Sequence, residues 1–132
     1  MKIGFSEVVV KLELPCQLAG YGTPRYAIDY DNNILVKCLT FKNEKETIHL
    51  LISDILAFDK SICDSISNSL GKEEQIMFCA THTHCGPAGL WELNGTILSS
   101  CEFFLGSKNN KNIEVLSNAC ISAIKLSKSE LH

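Results

Sequence analysis

Two of the chain's four histidines stand two residues apart in Cys79-Ala80-Thr81-His82-Thr83-His84-Cys85-Gly86-Pro87. Neutral imidazole is the commonest metal ligand on proteins, and residues i and i+2 of an extended backbone project to the same side. An H-x-H pair where a strand runs out can therefore aim both rings at one ion. Catalytic zinc usually takes three protein ligands and keeps a fourth position for water, so His82 and His84 do not complete such a centre by themselves. The motif is short, and two ordinary histidines on an exposed loop remain the competing reading. Context favours chemistry: Ile76-Met77-Phe78-Cys79-Ala80 reads as a buried strand that Gly86-Pro87 breaks, and open α/β sheets bind ligands at the carboxyl ends of their strands.

The elements that must position this pair follow from the spacing of apolar residues. Residues 3–12 alternate as a strand, and residues 15–33, with glycines, prolines and three tyrosines, read as a long loop. Residues 34–41 and 47–53 are strands joined by a polar five-residue segment, which predicts an antiparallel hairpin. Next, Ile62, Ile66 and Leu70 recur every four residues between Asp59, a candidate N-cap, and Gly71, a candidate stop. That pattern predicts a helix over 59–70, followed by a strand over 75–81. A strand, a helix and a strand in this order form a crossover, so strands 47–53 and 75–81 should be parallel.

The crossover sets Asp54 at a strand end matching that of His82. There it could accept a hydrogen bond from a ligating imidazole, touch the metal itself, or simply cap the following helix. Residues 88–105 carry Trp91, Phe103 and Phe104; these would form a lid or substrate wall, or more ordinarily part of the core, since large aromatics dominate interiors. Residues 112–126 form an amphipathic helix. The expected architecture is one α/β domain over residues 1–132: a mixed β-sheet with a β-hairpin and a parallel βαβ crossover, with helices packed on the sheet.

A composition of 45% hydrophobic and 20% charged residues with a net charge of −3 is that of an ordinary globular domain and lacks the basic stripe that nucleic acid demands. No run is long and apolar enough to span a membrane, and Met1-Lys2-Ile3-Gly4-Phe5-Ser6-Glu7 lacks the form of a secretory signal, so a cytoplasmic location is expected. Seven cysteines, an odd number without a C-x-x-C pair, are expected to be mostly buried, reduced thiols. A local zinc site using Cys79 and Cys85 would break the usual ligand spacing.

Ala80-Thr81-His82-Thr83-His84-Cys85-Gly86-Pro87 resembles the T-H-T-H-S-G-P signature of the neutral/alkaline, non-lysosomal ceramidases. Gly4-Phe5-Ser6-Glu7-Val8-Val9-Val10 with Leu14-Pro15-Cys16-Gln17-Leu18-Ala19-Gly20-Tyr21-Gly22 is similar to that family's opening strand and A-G-Y-G-like loop, and Leu50-Leu51-Ile52-Ser53-Asp54-Ile55-Leu56 to its apolar strand ending in aspartate. Order and spacing agree from about residue 3 to residue 126, the N-terminal part of the family's catalytic domain. Cys85 replaces the family's serine, Lys11-Leu12-Glu13-Leu14-Pro15 its T-P-P-like stretch, and Asp29 lies roughly where many members carry a histidine.

The resemblance implies a zinc amidase that cleaves the N-acyl bond of ceramide with metal-activated water. By position, His82 matches a zinc ligand. His84 matches a second histidine that donates to the developing oxyanion or shuttles a proton. The family draws further zinc ligands, a histidine, a glutamate and a tyrosine, from far downstream, and neither His49, within a strand, nor His132, at the end, substitutes for them. The implied zinc would be weakly held by the isolated chain. Its substrate would be an amide or lipid-like small molecule, and self-association or a completing segment would finish the site. The alternative is a non-catalytic α/β interaction or metal-binding domain that retains the family loop.

Overall fold

Strand-forming residues alternate along the first half of the chain, and the computed structural model, which describes residues 1–132, turns that alternation into one main sheet. Its elements are β1 (Lys2–Val10), β2 (Cys16–Leu18), β3 (Arg25–Ala27), β4 (Ile34–Lys42), β5 (Thr47–Ser53), α1 (Lys60–Asn68), β6 (Glu74–Ala80), α2 (Glu102–Leu105) and α3 (Asn110–Ser129). The sheet order is β1-β4-β5-β6. The pairs β1/β4 and β4/β5 are antiparallel, whereas β5/β6 is parallel. The expected α/β class, hairpin and parallel crossover are all present.

Side chains close each connection. At the β4–β5 turn, Asn43 Oδ1 accepts from the backbone N–H of Lys45 at 2.8 Å and of Glu46 at 3.0 Å. Asp59 caps α1 by accepting from Ser61 N–H at 2.8 Å. The helix stops at Ser69, not at Gly71: the Ser69 hydroxyl and N–H both turn back onto the Ile66 carbonyl. The last helix is also longer than expected, because Asn109 caps it early and buried Ser127 continues its inner face after the apolar pattern has faded. Residues 15–33, expected as loop, contain the two-stranded β2/β3 sheet, whose strands of three residues are too short to show a period.

Helices α1 and α3 touch each other and cover one face of the main sheet. Ile62 and Ile66 of α1 and Leu116, Cys120, Ala123 and Ile124 of α3 pack with Val36, Cys38 and Leu51 in the core cluster. A Cβ on Gly4 would stand 1.9 Å from the Ser127 carbonyl oxygen, so only glycine lets α3 lie this close to β1. The opposite face is built from three cross-strand rows: Ile3-Phe41-Ile48-Gln75, Phe5-Leu39-Leu50-Met77 and Glu7-Lys37-Ile52-Cys79. None of these apolar side chains packs into the core cluster.

Trp91, with Leu90 and Leu93, is buried and belongs to the core. Phe103 departs from that expectation: it is 52% exposed and meets Phe104 edge-on. All seven cysteines are free, but only Cys16, Cys38 and Cys120 are buried. Burial pushes the Cys120 thiol up to about 12, which leaves it unreactive at neutral pH. No helix is long and apolar enough to cross a membrane.

Candidate functional site

Strand β6 ends at Ala80, short of the histidines, although the Thr81 N–H still reaches the Ser53 carbonyl of β5 at 3.0 Å. His82 then adopts φ 61°, the left-handed region, where histidine is among the more tolerant non-glycine residues. Strand alternation therefore does not bring the rings together, contrary to the expectation from i, i+2 spacing. The loop does: the His82 and His84 ring centroids lie 5.6 Å apart with planes at 87°, and both residues are exposed.

Each ring is fixed by a backbone carbonyl. His82 Nδ1 lies 2.9 Å from the Leu56 oxygen, in the segment after β5, and His84 Nδ1 lies 3.1 Å from the Gly20 oxygen, in the loop between β2 and β3. A carbonyl oxygen can only accept, so both Nδ1 atoms carry hydrogen, and both neutral rings present the lone pair of Nε2. The Gly20 loop is itself pinned, with Gly20 N–H on the Phe104 carbonyl at 2.7 Å and Ala19 N–H on the Gly86 carbonyl at 3.1 Å. Gly20 has φ 86°, and a Cβ there would stand 2.4 Å from His84 Nδ1, so the residue must be glycine on both counts. Tyr21 meets the His84 ring edge-on at 5.8 Å and is covered by Arg25 at 4.6 Å.

Asp54 has a different partner from those considered in the sequence. Its N–H donates to the Leu35 carbonyl at 2.9 Å, and its Oδ2 accepts from the Leu35 N–H at 3.1 Å, so it ties the end of β5 to the start of β4. Capping of α1 falls to Asp59, and the imidazole hydrogens go to Leu56 and Gly20. Asp54 does line, with Thr83 and Cys85, a cavity of about 480 Å³ whose wall includes Leu12, Leu14 and Ile34. Gly86 presses against the Asp54 carbonyl, where a Cβ would come within 2.8 Å.

Each ring thus leaves an Nε2 lone pair free of the backbone, the donor type that zinc takes from histidine. No group of three His, Cys, Asp or Glu residues is placed to hold a metal ion; Cys79 lies in a strand row with Ile52. His49 is fully buried far along the sheet: its Nδ1 lies 2.8 Å from the Thr40 hydroxyl and its Nε2 3.0 Å from Glu74, whose other oxygen meets Lys128 at 2.5 Å.

No family model and no curated protein sequence matches this chain. Solved structures do. A neutral ceramidase from Pseudomonas aeruginosa superposes with a TM-score of 0.83 at 13% identity, over 99% of this chain and 22% of that one. A ceramidase complexed with C2 gives 0.81 at 12% identity, over 99% and 21%. The fold is ceramidase-like. The chain spans about a fifth of the length of these ceramidases, and at such identity the likeness establishes the shared fold, with the histidine loop set on the parallel edge of a ceramidase-like sheet.

Proposed function

We propose that this chain supplies the H-x-H part of a zinc-dependent amide-hydrolase centre of ceramidase type, acting on an amide of lipid-like character such as an N-acyl sphingoid base. The observation that carries the reading is the pair of imidazoles, 5.6 Å apart, each with Nδ1–H given to a backbone carbonyl. A ligating histidine is generally held this way, its second nitrogen donating to a fixed acceptor that sets the tautomer. The ceramidase-like fold supports the choice of substrate class.

His82 would hold the ion through Nε2. When bound, zinc would polarise the scissile carbonyl and bring the pKa of its water toward neutrality. His84 handles a proton at Nε2. With its Nδ1–H committed to Gly20, the neutral ring must take a proton before it can donate one, which favours shuttling over direct donation to an oxyanion. Asp54 is a positioning residue that joins the β4 and β5 ends beneath the loop. The remaining ligands would come from groups outside residues 1–132, in the same polypeptide or a partner, and the seven unpaired thiols suit the reducing cytoplasm.

Calorimetric titration with zinc tests the assignment without requiring turnover. The chain should bind zinc weakly, His82→Ala should abolish that binding, and His84→Ala should retain most of it. Equal loss in both variants would show the roles to be wrongly divided. No binding by the parent chain would overturn the metal reading and leave a non-catalytic domain.

A further inference from the structure

A chain of hydrogen bonds runs through His49 at the end of the sheet remote from the histidine loop. Thr40, His49 and Glu74 have the composition of a hydroxyl, imidazole and carboxylate triad, but Thr40 and His49 are wholly buried and closed to any substrate. One group fixes the direction of every bond in the chain. Glu74 is paired with Lys128 at 2.5 Å and, as a carboxylate, can only accept, so His49 keeps its hydrogen on Nε2, 3.0 Å away. The neutral ring then presents a lone pair at Nδ1, and the Thr40 hydroxyl at 2.8 Å must donate to it. Thr40 has now spent its single hydrogen, so the Ser127 hydroxyl at 2.5 Å must donate to Thr40. In this state the Ile124 carbonyl, 3.0 Å from Ser127 Oγ, receives nothing from that hydroxyl.

We infer that the chain is a two-state proton switch: a proton added at His49 Nδ1 reverses both hydroxyls and leaves the fold intact. The imidazolium must donate from both nitrogens. Thr40 then turns its hydrogen to Ser127, and Ser127 turns its own to the Ile124 carbonyl, each acceptor already lying within bonding distance. The proton comes from solvent, and no other bond to hydrogen breaks, because the two hydroxyls only rotate. The charged groups facing His49 are Glu74 at the start of β6, which favours the added charge, and Lys128 of α3, which opposes it. From β4 the Cys38 thiol lies 3.3 Å from Ser127 Oγ and 3.8 Å from Thr40 Oγ1; burial pushes it up and keeps it protonated. The consequence is action at one remove. A buried donor without an acceptor is costlier than an oxygen short of a second partner, so the charged ring needs Ser127 to accept from Thr40, whereas the neutral ring can do without it.

Nitrogen-15 and carbon-13 NMR of the full chain across pH reads both ends of the switch. Near neutral pH His49 should carry hydrogen on Nε2 alone. On acidification it should become doubly protonated while the amide spectrum stays that of the folded chain, and the Ile124 carbonyl carbon should shift with the same midpoint. Ser127→Ala should lower that midpoint by about one pH unit, although Ser127 does not touch the ring, and Thr40→Ser, which keeps the hydroxyl, should leave it nearly unchanged. A neutral ring with hydrogen on Nδ1, a parent that unfolds before His49 is charged, or an Ile124 carbonyl that does not respond overturns the proposal. So does a midpoint that Ser127→Ala fails to lower or that Thr40→Ser moves as far. The first three outcomes need only the parent chain, so a variant that fails to fold leaves the test standing. None of these readouts involves zinc, so the switch stands or falls apart from the hydrolase reading.

Discussion

His49 and the His82/His84 pair lie at opposite ends of the parallel β5/β6 ladder, and the same side chain is used in opposite ways. At the end where the two strands begin, His49 is buried and its Nε2 faces the Glu74 carboxylate while Nδ1 meets the Thr40 hydroxyl. The carboxylate requires hydrogen on Nε2, so the ring is the reverse tautomer of His82 and His84. Every polar atom of His49 is consumed within the protein. At the far end each exposed ring spends only its Nδ1 hydrogen and keeps Nε2 free. Satisfaction marks the structural histidine; a fixed ring with one unspent nitrogen marks the candidate for chemistry.

The comparison breaks most visibly at His49. Its replacement by alanine leaves a cavity under α3 and strips partners from Thr40 and Glu74, a loss of about 2–4 kcal/mol that denaturant unfolding would register. Burial holds the His49 pKa below its ordinary value against the opposing pull of Glu74. Burial pushes the Glu74 carboxyl up, but its bonds to Lys128 and His49 outweigh that and hold it low. Both groups bind fewer protons folded than unfolded, so stability is present at neutral pH, falls as pH drops below about 6.5 through the His49 range, and falls again below about 4.5. The first of these declines should be missing in His49→Ala, and its persistence would assign the titration elsewhere.

Much of the fold is legible because it rests on patterns of side chains. Alternation marks β1, apolar runs on either side of a polar turn mark β4 and β5, the four-residue steps of Ile62 and Ile66 mark α1, and the order of elements dictates the parallel pairing. The site was legible only in part. The closeness of His82 and His84 follows from the motif, yet the reason is a left-handed turn at His82 and two carbonyl anchors, and a backbone oxygen at Leu56 or Gly20 has no residue-type signature. The His49 network escapes for a related reason, since Thr40, His49, Glu74 and Lys128 are polar residues in separate elements that only the tertiary fold joins. The apolar runs of β4 and β5 leave the sheet apolar on both faces, and the helices cover one of them.

A sharper form of the comparison uses Gly20, whose carbonyl fixes His84. Alanine there must adopt φ 86° and crowd the ring at 2.4 Å, which should cost about 1–3 kcal/mol and move His84 without touching it chemically. Under the proposed roles, Gly20→Ala should resemble His84→Ala in the zinc titration, with most binding retained. A complete loss of zinc binding would instead make the Gly20–His84 contact a support for both rings.

The smallest effect is expected at His82 itself. Glycine there removes the strain of a left-handed histidine, about 1–2 kcal/mol, and gives back about 0.5–1 kcal/mol through the greater freedom of the unfolded chain and a similar amount with the lost bond to Leu56. These terms nearly cancel, so His82→Gly should unfold within about 1 kcal/mol of the parent. Nothing in the packing then explains why a histidine occupies a position where glycine sits at least as well, whereas the proposed ligand for Nε2 would. A loss as large as that at His49 would place His82 among the structural histidines and remove the contrast on which the candidate site rests.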